Sequence, residues 1–262
     1  MKRILALLIT TAALTTSLSA GLTYDFRSVS QGAGASQLSG RASIDGDRLR
    51  MDVSKGDGII FKDNSVVLSE DGGQTLMVLD VKKKTYYELP LNDLLAASGS
   101  MMKAMGGMIK FSIKNPKVSI KEAGDGGVIE GYPTRKYLIN TTYDMTLSIM
   151  GIKNQSSVQS SSEVWTTMKL DQERRMFLQE RSFRTGIEEL DEVVEAQARA
   201  LKGFPLKHVT KTVTTPKKGK ASTINSTVTI SNIQKKAVAA SQFKIPPGYE
   251  EGEMPMMMPE PR

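Results

Sequence analysis

The chain has 262 residues, with 35 Lys and Arg against 28 Asp and Glu, 15 Met, one His and no Cys. Without Cys it can form no disulfide, thiolate zinc site or iron–sulfur cluster, and it has no cysteine nucleophile. His208 is the single histidine, so a site with several histidine ligands from one chain is excluded and a Ser-His-Asp triad would have to include it. We therefore expect a non-enzymatic protein without a cofactor.

The first 20 residues have the pattern of an export signal. Lys-Arg at residues 2–3 precedes an apolar segment at residues 4–14, and Ser-Leu-Ser-Ala at residues 17–20, with its small residues, suits cleavage after Ala20. This is the layout of a secretory signal peptide, and its apolar segment is shorter than the ~20 residues that span a bilayer. No Cys follows to carry a lipid anchor. The sequence predicts an exported protein, periplasmic or otherwise extracytoplasmic, that is soluble and not lipid-anchored.

The N-terminal half of the remaining chain has the pattern of short strands joined by tight turns. Apolar residues at 49, 51 and 53 alternate with charged ones, as in a strand with one wet face. The turn sequences fall at residues 45–46, 62–64, 71–73 and 80–84. Strand, turn and strand at this spacing predict an antiparallel meander, with strands at residues 22–30, 48–53, 58–61, 65–69, 76–79 and 85–89.

Residues 90–109 change in character and predict a Met-rich helix. Leu94, Met101, Met105 and Met108 follow one another at spacings of seven, four and three, which puts them on one helical stripe. Glycines within the segment weaken such a helix. Met side chains adapt to irregular apolar ligands, so the helix could cover a lipid or acyl chain, or it could be an ordinary core face.

Strands resume at about residue 117. A turn at 124–127 and another at 151–154 bound two long strands, at residues 134–149 and 156–170. The polar start of the second strand, at 156–162, is expected at an edge or rim of the sheet. Trp165, the only tryptophan, is expected in the core or lining a cavity.

A second helix is predicted after residue 184. Thr185 and Glu188 have the spacing of a capping box, Leu190 and Val194 lie on one face, and Gly203 ends the helix. Two further strands, at residues 208–215 and 222–231, bracket a basic turn at 216–220. The sequence thus predicts an α+β fold, in which a curved antiparallel sheet (a half-barrel) of about 10–11 strands carries two to three helices on its concave face. The segments are a signal peptide at 1–20, one domain at 21–249 and a disordered Met/Pro/Glu tail at 250–262.

Four sequence motifs resemble a known group. They are Gly-Arg-Ala-Ser-Ile-Asp-Gly-Asp-Arg-Leu-Arg-Met-Asp at residues 40–52, Leu-Asp at 79–80 with Lys-Thr-Tyr-Tyr at 84–87, Gly-Tyr-Pro-Thr-Arg-Lys-Tyr at 131–137, and Pro-Gly-Tyr at 247–249. They are similar to an uncharacterised family of secreted bacterial proteins that looks related to the LolA/LolB-like superfamily of periplasmic lipoprotein carriers. The resemblance implies a half-open antiparallel barrel with helices as a lid, and an apolar ligand. It transfers no functional residue.

The function expected from these features is the binding or transport of a lipid, an acylated peptide or another hydrophobic ligand. An envelope module with a filled core, acting by structural or protein–protein contacts, is the alternative. An open apolar cavity would separate the two. The candidate ligand-binding residues lie on the two helices and the long strand: Leu94, Met101, Met105, Met108, Trp165, Leu190 and Val194.

Two further sets of residues, one of lysines and one of methionines, could bind a partner or a metal ion. A basic surface patch could meet an anionic membrane surface or an envelope protein, although lysines on hairpins also guard exposed strand edges. Without interleaved aromatic residues it does not indicate nucleic acid. The tail methionines could bind Cu(I) through thioether sulfur, or they could be a low-complexity tail. The patch is Lys207, Lys211, Lys217, Lys218 and Lys220, and the tail residues are Met254, Met256, Met257 and Met258.

Overall fold

One antiparallel sheet organises the protein. The structure, a computed structural model, describes residues 21–58, 61–91, 109–176 and 188–253. The strands in this part of the chain are β1 (Gly21–Gly32), β2 (Ser36–Asp45), β3 (Arg48–Gly56), β4 (Ser65–Ser69), β5 (Thr75–Asp80), β6 (Thr85–Pro90), β7 (Ile109–Ile129), β8 (Tyr132–Ile149), β9 (Ile152–Thr167), β10 (Phe204–Pro216), β11 (Ser222–Lys236) and β12 (Glu250–Glu251).

All twelve strands belong to the same sheet, in the order β12-β6-β5-β4-β3-β2-β1-β11-β10-β9-β8-β7. Every neighbouring pair is antiparallel except β12 and β6, which run parallel. The predicted antiparallel sheet is therefore confirmed. The edge strands β12 and β7 do not pair with each other in the described part of the chain, so the sheet is not closed into a barrel.

The predicted α+β class is wrong, because the described residues are mostly β. Their helices are α1 (Glu188–Ala200) and two 3₁₀ segments, Met168–Met176 and Ala240–Phe243. The strand count exceeds the predicted 10–11, since β2 and β12 were not recognised. Their short or Gly- and Ser-rich sequences carry little hydrophobic alternation. The signal peptide, the Met-rich helix at 92–108, the Thr185 cap and the tail from residue 254 lie outside the described residues.

The two runs of strands join along β1. This strand pairs with β2 on one side and with β11 on the other, from Gly21 opposite Lys236 to Gly32 opposite Ile224. The sheet also curls, and the turn after β7 comes close to β11. There the Asn232 backbone N–H donates to Glu130 Oε2 at 2.9 Å. The continuous sheet thereby brings residues from distant strands against one core.

The sheet has two unlike faces. Helix α1 packs on one of them, where Leu201, just beyond its end, contacts Tyr137, Ile139 and Val164. Because side chains alternate along a strand, the register extends this helix-side face across the sheet to Phe26 on β1 and beyond. The other side is called the opposite face below.

The C-terminal segment covers the opposite face of β3 to β6. Ile245 and Tyr249 pack on the cluster of Val66, Leu68 and Leu79, and Arg50 Nη1 donates to the Gln242 carbonyl at 3.1 Å. The domain therefore extends past the predicted limit at residue 249. Two residues of the expected tail form β12, and the Gly252 N–H donates to the Tyr86 carbonyl at 2.7 Å.

The edge strand β7 differs from its prediction. The expected turn at residues 124–127 is part of a bulged strand, with register shifts between Glu122 and Gly124 and between Asp125 and Val128. The Gly-Asp-Gly-Gly sequence supplies the positive φ of Gly124 and Gly127 that these irregularities need. The strand expected at residues 58–61 falls partly outside the described residues, since 59–60 are not among them. On either side of this segment, Asp57 and Lys62 form an isolated antiparallel bridge.

Candidate functional site

A band of hydroxyl side chains crosses the helix-side face. Five adjacent strands contribute to it, and each member is at least half-buried. The register places them in consecutive cross-strand positions. Buried polar groups require hydrogen-bond partners, so the hydroxyls of the band must bond to one another or to neighbouring groups. The hydroxyl band is Ser28, Ser30, Thr141, Ser160, Ser162, Thr210, Thr212 and Ser226.

The hydroxyls pair mostly across neighbouring strands. Ser30 Oγ donates to Ser226 Oγ at 3.1 Å, and Ser160 Oγ lies 3.2 Å from Thr212 Oγ1. On the side of α1, Gln197 Nε2 donates to Thr141 Oγ1 at 3.4 Å. A hydroxyl both donates and accepts and has spare lone pairs, so these paired groups can still accept or donate one more bond to a ligand.

His208 lies within this band. Its Nε2 is 3.0 Å from Thr210 Oγ1, which is 2.9 Å from Ser162 Oγ. Burial lowers the pKa of His208 below the usual value for histidine, because desolvation disfavours the charged form. His208 is therefore neutral near pH 7 and extends the hydroxyl band with a polar ring.

Apolar side chains flank the band. Tyr24 and Phe26 belong to the main core cluster on β1, while Tyr137 and Ile139 belong to the cluster under α1. Between them, Val228 on β11 is only half-buried. The helix-side face thus combines apolar surface with a polar strip, and part of it remains accessible.

The structure places only some of the predicted ligand-binding residues. In α1, Val193 is buried and Val194 is half-buried. Leu94, Met101, Met105, Met108 and the side chain of Leu190 lie outside what the structure describes.

Trp165 is not near the helix-side face. It follows Val164 on β9 and therefore points to the opposite face, where it is half-buried. Lys136 and Lys207 on the two neighbouring strands each place Nζ 4.8 Å from the centroid of the indole ring. Both cations are within cation–π distance, so this face holds a Lys-Trp-Lys stack rather than an apolar lining. Lys136 also pairs with Glu163 at 3.0 Å.

The predicted basic patch divides into two parts. Lys207 and Lys211 lie on β10, on the opposite face of the sheet. Lys217, Lys218 and Lys220 lie in the exposed turn between β10 and β11, as predicted. The structure therefore separates the first lysine, stacked on Trp165, from the three at the turn.

One cavity is lined by charged and polar residues. It has a volume of about 580 Å³ and lies beside the ends of β7, β8 and β9. Arg135 Nη1 pairs with Glu122 Oε1 at 3.0 Å on its wall, and Asp125, Thr134 and Lys169 also line it. It is not the apolar cavity that the sequence led us to expect.

The hydroxyl band was not predicted from the sequence. The serines at 156–162 were expected at an edge or rim, whereas β9 lies inside the sheet between β8 and β10. The signal was the repeat of Ser or Thr at every second position in 160–162 and 210–212, which places hydroxyls on one face. Within the described residues, no cluster of three acidic or histidine side chains could hold a metal ion, and no helix is long and apolar enough to cross a bilayer.

Comparison with known proteins gives a family match. The sequence matches a family described as "Domain of unknown function (DUF4412)" over residues 29–249. No curated protein matches the chain. Similar solved structures include an uncharacterized conserved protein from Thermus thermophilus, at 9% identity with a TM-score of 0.37, covering 90% of this chain and 91% of that one.

A second similar structure is a LolA superfamily protein from Nitrosomonas europaea, at 8% identity with a TM-score of 0.31, covering 86% of this chain and 90% of that one. The family match covers most of the described sheet, from β1 to the C-terminal segment. The chain therefore belongs to the DUF4412 family.

Proposed function

We propose that this protein is a non-enzymatic, extracytoplasmic binding protein that holds an amphiphilic ligand on the helix-side face. The ligand class is a lipid, an acylated peptide or a similar molecule with an apolar chain and a hydroxyl, ester or amide group. The observation that carries the proposal is that the hydroxyl band and His208 lie between apolar clusters on a face that remains partly accessible.

The polarity of the helix-side face matches that of an amphiphilic ligand. An apolar chain gains free energy by covering Val228 and its apolar neighbours, while its polar group would otherwise lose hydrogen bonds to water on entering the site. The hydroxyl band offers donors and acceptors at that point without introducing a charge. Ligand sites in proteins commonly combine an apolar lining with a few polar groups that fix orientation.

Titration with a fluorescent fatty acid tests this proposal. Val228 on β11 and Val209 on β10 are both half-buried strand valines, and they lie on opposite faces of the sheet. We expect saturable binding that Val228→Asp weakens by at least about tenfold, because it places a charge against the apolar chain. Val209→Asp should bind as the wild type does.

Folding controls and a further variant accompany this test. Circular dichroism and thermal unfolding show whether each variant is folded, and Thr210→Val, which keeps the side-chain shape, gives a second variant on the helix-side face. Equal binding by the Val228→Asp and Val209→Asp variants would overturn the proposal. So would a wild-type protein that binds no fatty acid and carries no ligand in native mass spectrometry after purification from its own envelope fraction. That result would favour an interaction module with a filled core.

A further inference from the structure

The turn between β8 and β9 exposes three large apolar side chains. Ile149, Met150 and Ile152 are 43%, 73% and 69% exposed. They account for half of the large exposed apolar side chains in the described part of the chain, which are six in number. An exposed apolar group of this kind marks an interaction site more often than a scattered single residue does. We name these three residues the hydrophobic tip.

The backbone at the hydrophobic tip also departs from what a solvent-exposed turn prefers. Met150 and Gly151 form a two-residue hairpin turn with φ of 50° and 86°. Turns of this kind favour Asn, Asp or Gly at both positions, because other side chains are strained at positive φ. Met150 therefore gains neither a favourable turn conformation nor burial at this position, since 73% of its surface is exposed.

Lysines surround the hydrophobic tip. Lys153 follows it on β9, and the neighbouring turn between β10 and β11 carries Lys217, Lys218 and Lys220, all exposed. The two turns are joined, because the Lys217 N–H donates to the Gln155 carbonyl at 2.7 Å. The lysines and the apolar side chains therefore lie at the same end of the sheet.

Acidic residues are nearly missing from this end. Residues 145–162 and 196–249 contain no Asp or Glu. Asp144, on β8, is the acidic group nearest along the strand, and it accepts a hydrogen bond from Asn115 Nδ2 at 3.0 Å. Within the described residues, the segments around the hydrophobic tip therefore carry no carboxylate that would neutralise its lysines.

We propose that this end of the sheet docks on the surface of an anionic phospholipid bilayer, with the hydrophobic tip inserted at the headgroup boundary and the lysines on lipid phosphates. Apolar side chains beside a lysine cluster suit such a surface, since apolar burial and attraction to anionic lipid add. A protein partner fits less well, because the cores of protein interfaces are depleted in lysine. The proposal is independent of the ligand proposed above.

Vesicle flotation tests the docking surface. The wild type should float with vesicles of phosphatidylcholine and phosphatidylglycerol and stay behind with phosphatidylcholine alone. Met150→Asp with Ile152→Asp should weaken binding at least about tenfold. Lys217→Gln with Lys218→Gln should weaken it by about tenfold or more and reduce its salt dependence.

Matched controls are available at the other end of the strands. Val128, 71% exposed near the β7–β8 turn, is the control for the apolar tip, as Val128→Asp. Lys202→Gln with Lys236→Gln removes two exposed lysines near the starting ends of β10 and β1. Both controls should bind vesicles as the wild type does, whereas a loss equal to that of the tip variants would overturn the proposal.

The absence of native Cys allows a direct test of insertion. The Met150→Cys variant, labelled with an environment-sensitive dye, should shift to shorter emission wavelength on anionic vesicles, and the labelled Val128→Cys variant should not. A dye at position 150 that stays in water while the protein binds would overturn insertion. Concentration-dependent self-association that Met150→Asp abolishes, without any vesicle binding, would assign the hydrophobic tip to a second copy of the chain instead.

Discussion

Lys207 places its ammonium nitrogen 4.8 Å from the centroid of the Trp165 indole, on the neighbouring strand of the opposite face. Since Trp165 is the only tryptophan, the protein's tryptophan fluorescence reports on the surroundings of this one ring, which Lys136 also contacts. We expect Lys207→Gln to lower the free energy of unfolding by about 0.5–1 kcal/mol, the usual range for a cation–π contact at a partly exposed site.

Urea unfolding followed by this fluorescence measures the change. Lys211→Gln, on the same strand and face, is the control and should shift the free energy by less than about 0.5 kcal/mol. Equal effects of the two substitutions would indicate a general loss of charge rather than the contact with Trp165.

His208 should make stability depend on pH. Burial lowers its folded-state pKa, so the unfolded chain takes up a proton first as the pH falls. The resulting stability is fully present above the unfolded pKa of about 6.5 and is lost as the pH falls through that value towards the lower folded pKa. Unfolding experiments on the wild type and on His208→Gln should differ in this window, where the variant gives a flatter profile.

The titration itself can be followed on the single histidine. The His208 ring resonances in the proton NMR spectrum of the folded protein should titrate below the value for a free histidine. A titration at or above that value would contradict the burial of the ring in the hydroxyl band.

Gly40 is expected to tolerate no side chain. A Cβ built there would lie 2.1 Å from the Asp52 carbonyl oxygen on β3, so Gly40→Ala must push two strands apart. We expect a loss of about 3 kcal/mol. Gly34, in the turn before β2, has a φ of 86° but no atom within 4 Å of such a Cβ. Gly34→Ala should cost only about 1 kcal/mol, from backbone strain, and thermal unfolding would separate the two.

The C-terminal segment should be part of the folded domain. A chain ending at residue 253 keeps Phe243, Ile245 and Tyr249, whereas one ending at residue 237 removes them and uncovers the cluster of buried side chains that contains Leu68 and Leu79. Each uncovered apolar side chain costs roughly 1.5–3 kcal/mol. The longer chain should therefore unfold near the wild-type temperature and resist proteolysis, while the shorter one should not. Equal stability would contradict the packing of this segment.

Local sequence patterns were sufficient to predict much of the sheet. The strand predicted at 65–69 coincides with β4, and most other predicted strands match the observed ones with ends displaced by a few residues. The turn predicted at residues 45–46 lies one residue further on, where Gly46 and Asp47 join β2 to β3 and Gly46 takes the positive φ that such a hairpin needs. Such turns depend on neighbouring residues only, so a sequence reveals them.

The site was harder to predict because it depends on pairing over long distances. Ser30 and Ser226 hydrogen-bond across strands that are far apart in the chain, and neither residue has a distinctive local sequence. Trp165 was misplaced for a related reason. Its hydrophobic ring suggested the core, but the residue's position on β9 sets the face, and the two lysines beside it come from other strands.

The pairing of β1 with β11 also bears on how the protein folds. The hairpins within β2–β6, within β7–β9 and between β10 and β11 close short loops, whereas the pairing of β1 with β11 closes a loop of about 200 residues. Contacts of such long sequence separation slow folding. The sheet cannot be completed before β11 has been synthesised, so we expect the growing chain to stay incompletely folded until nearly all of it is available.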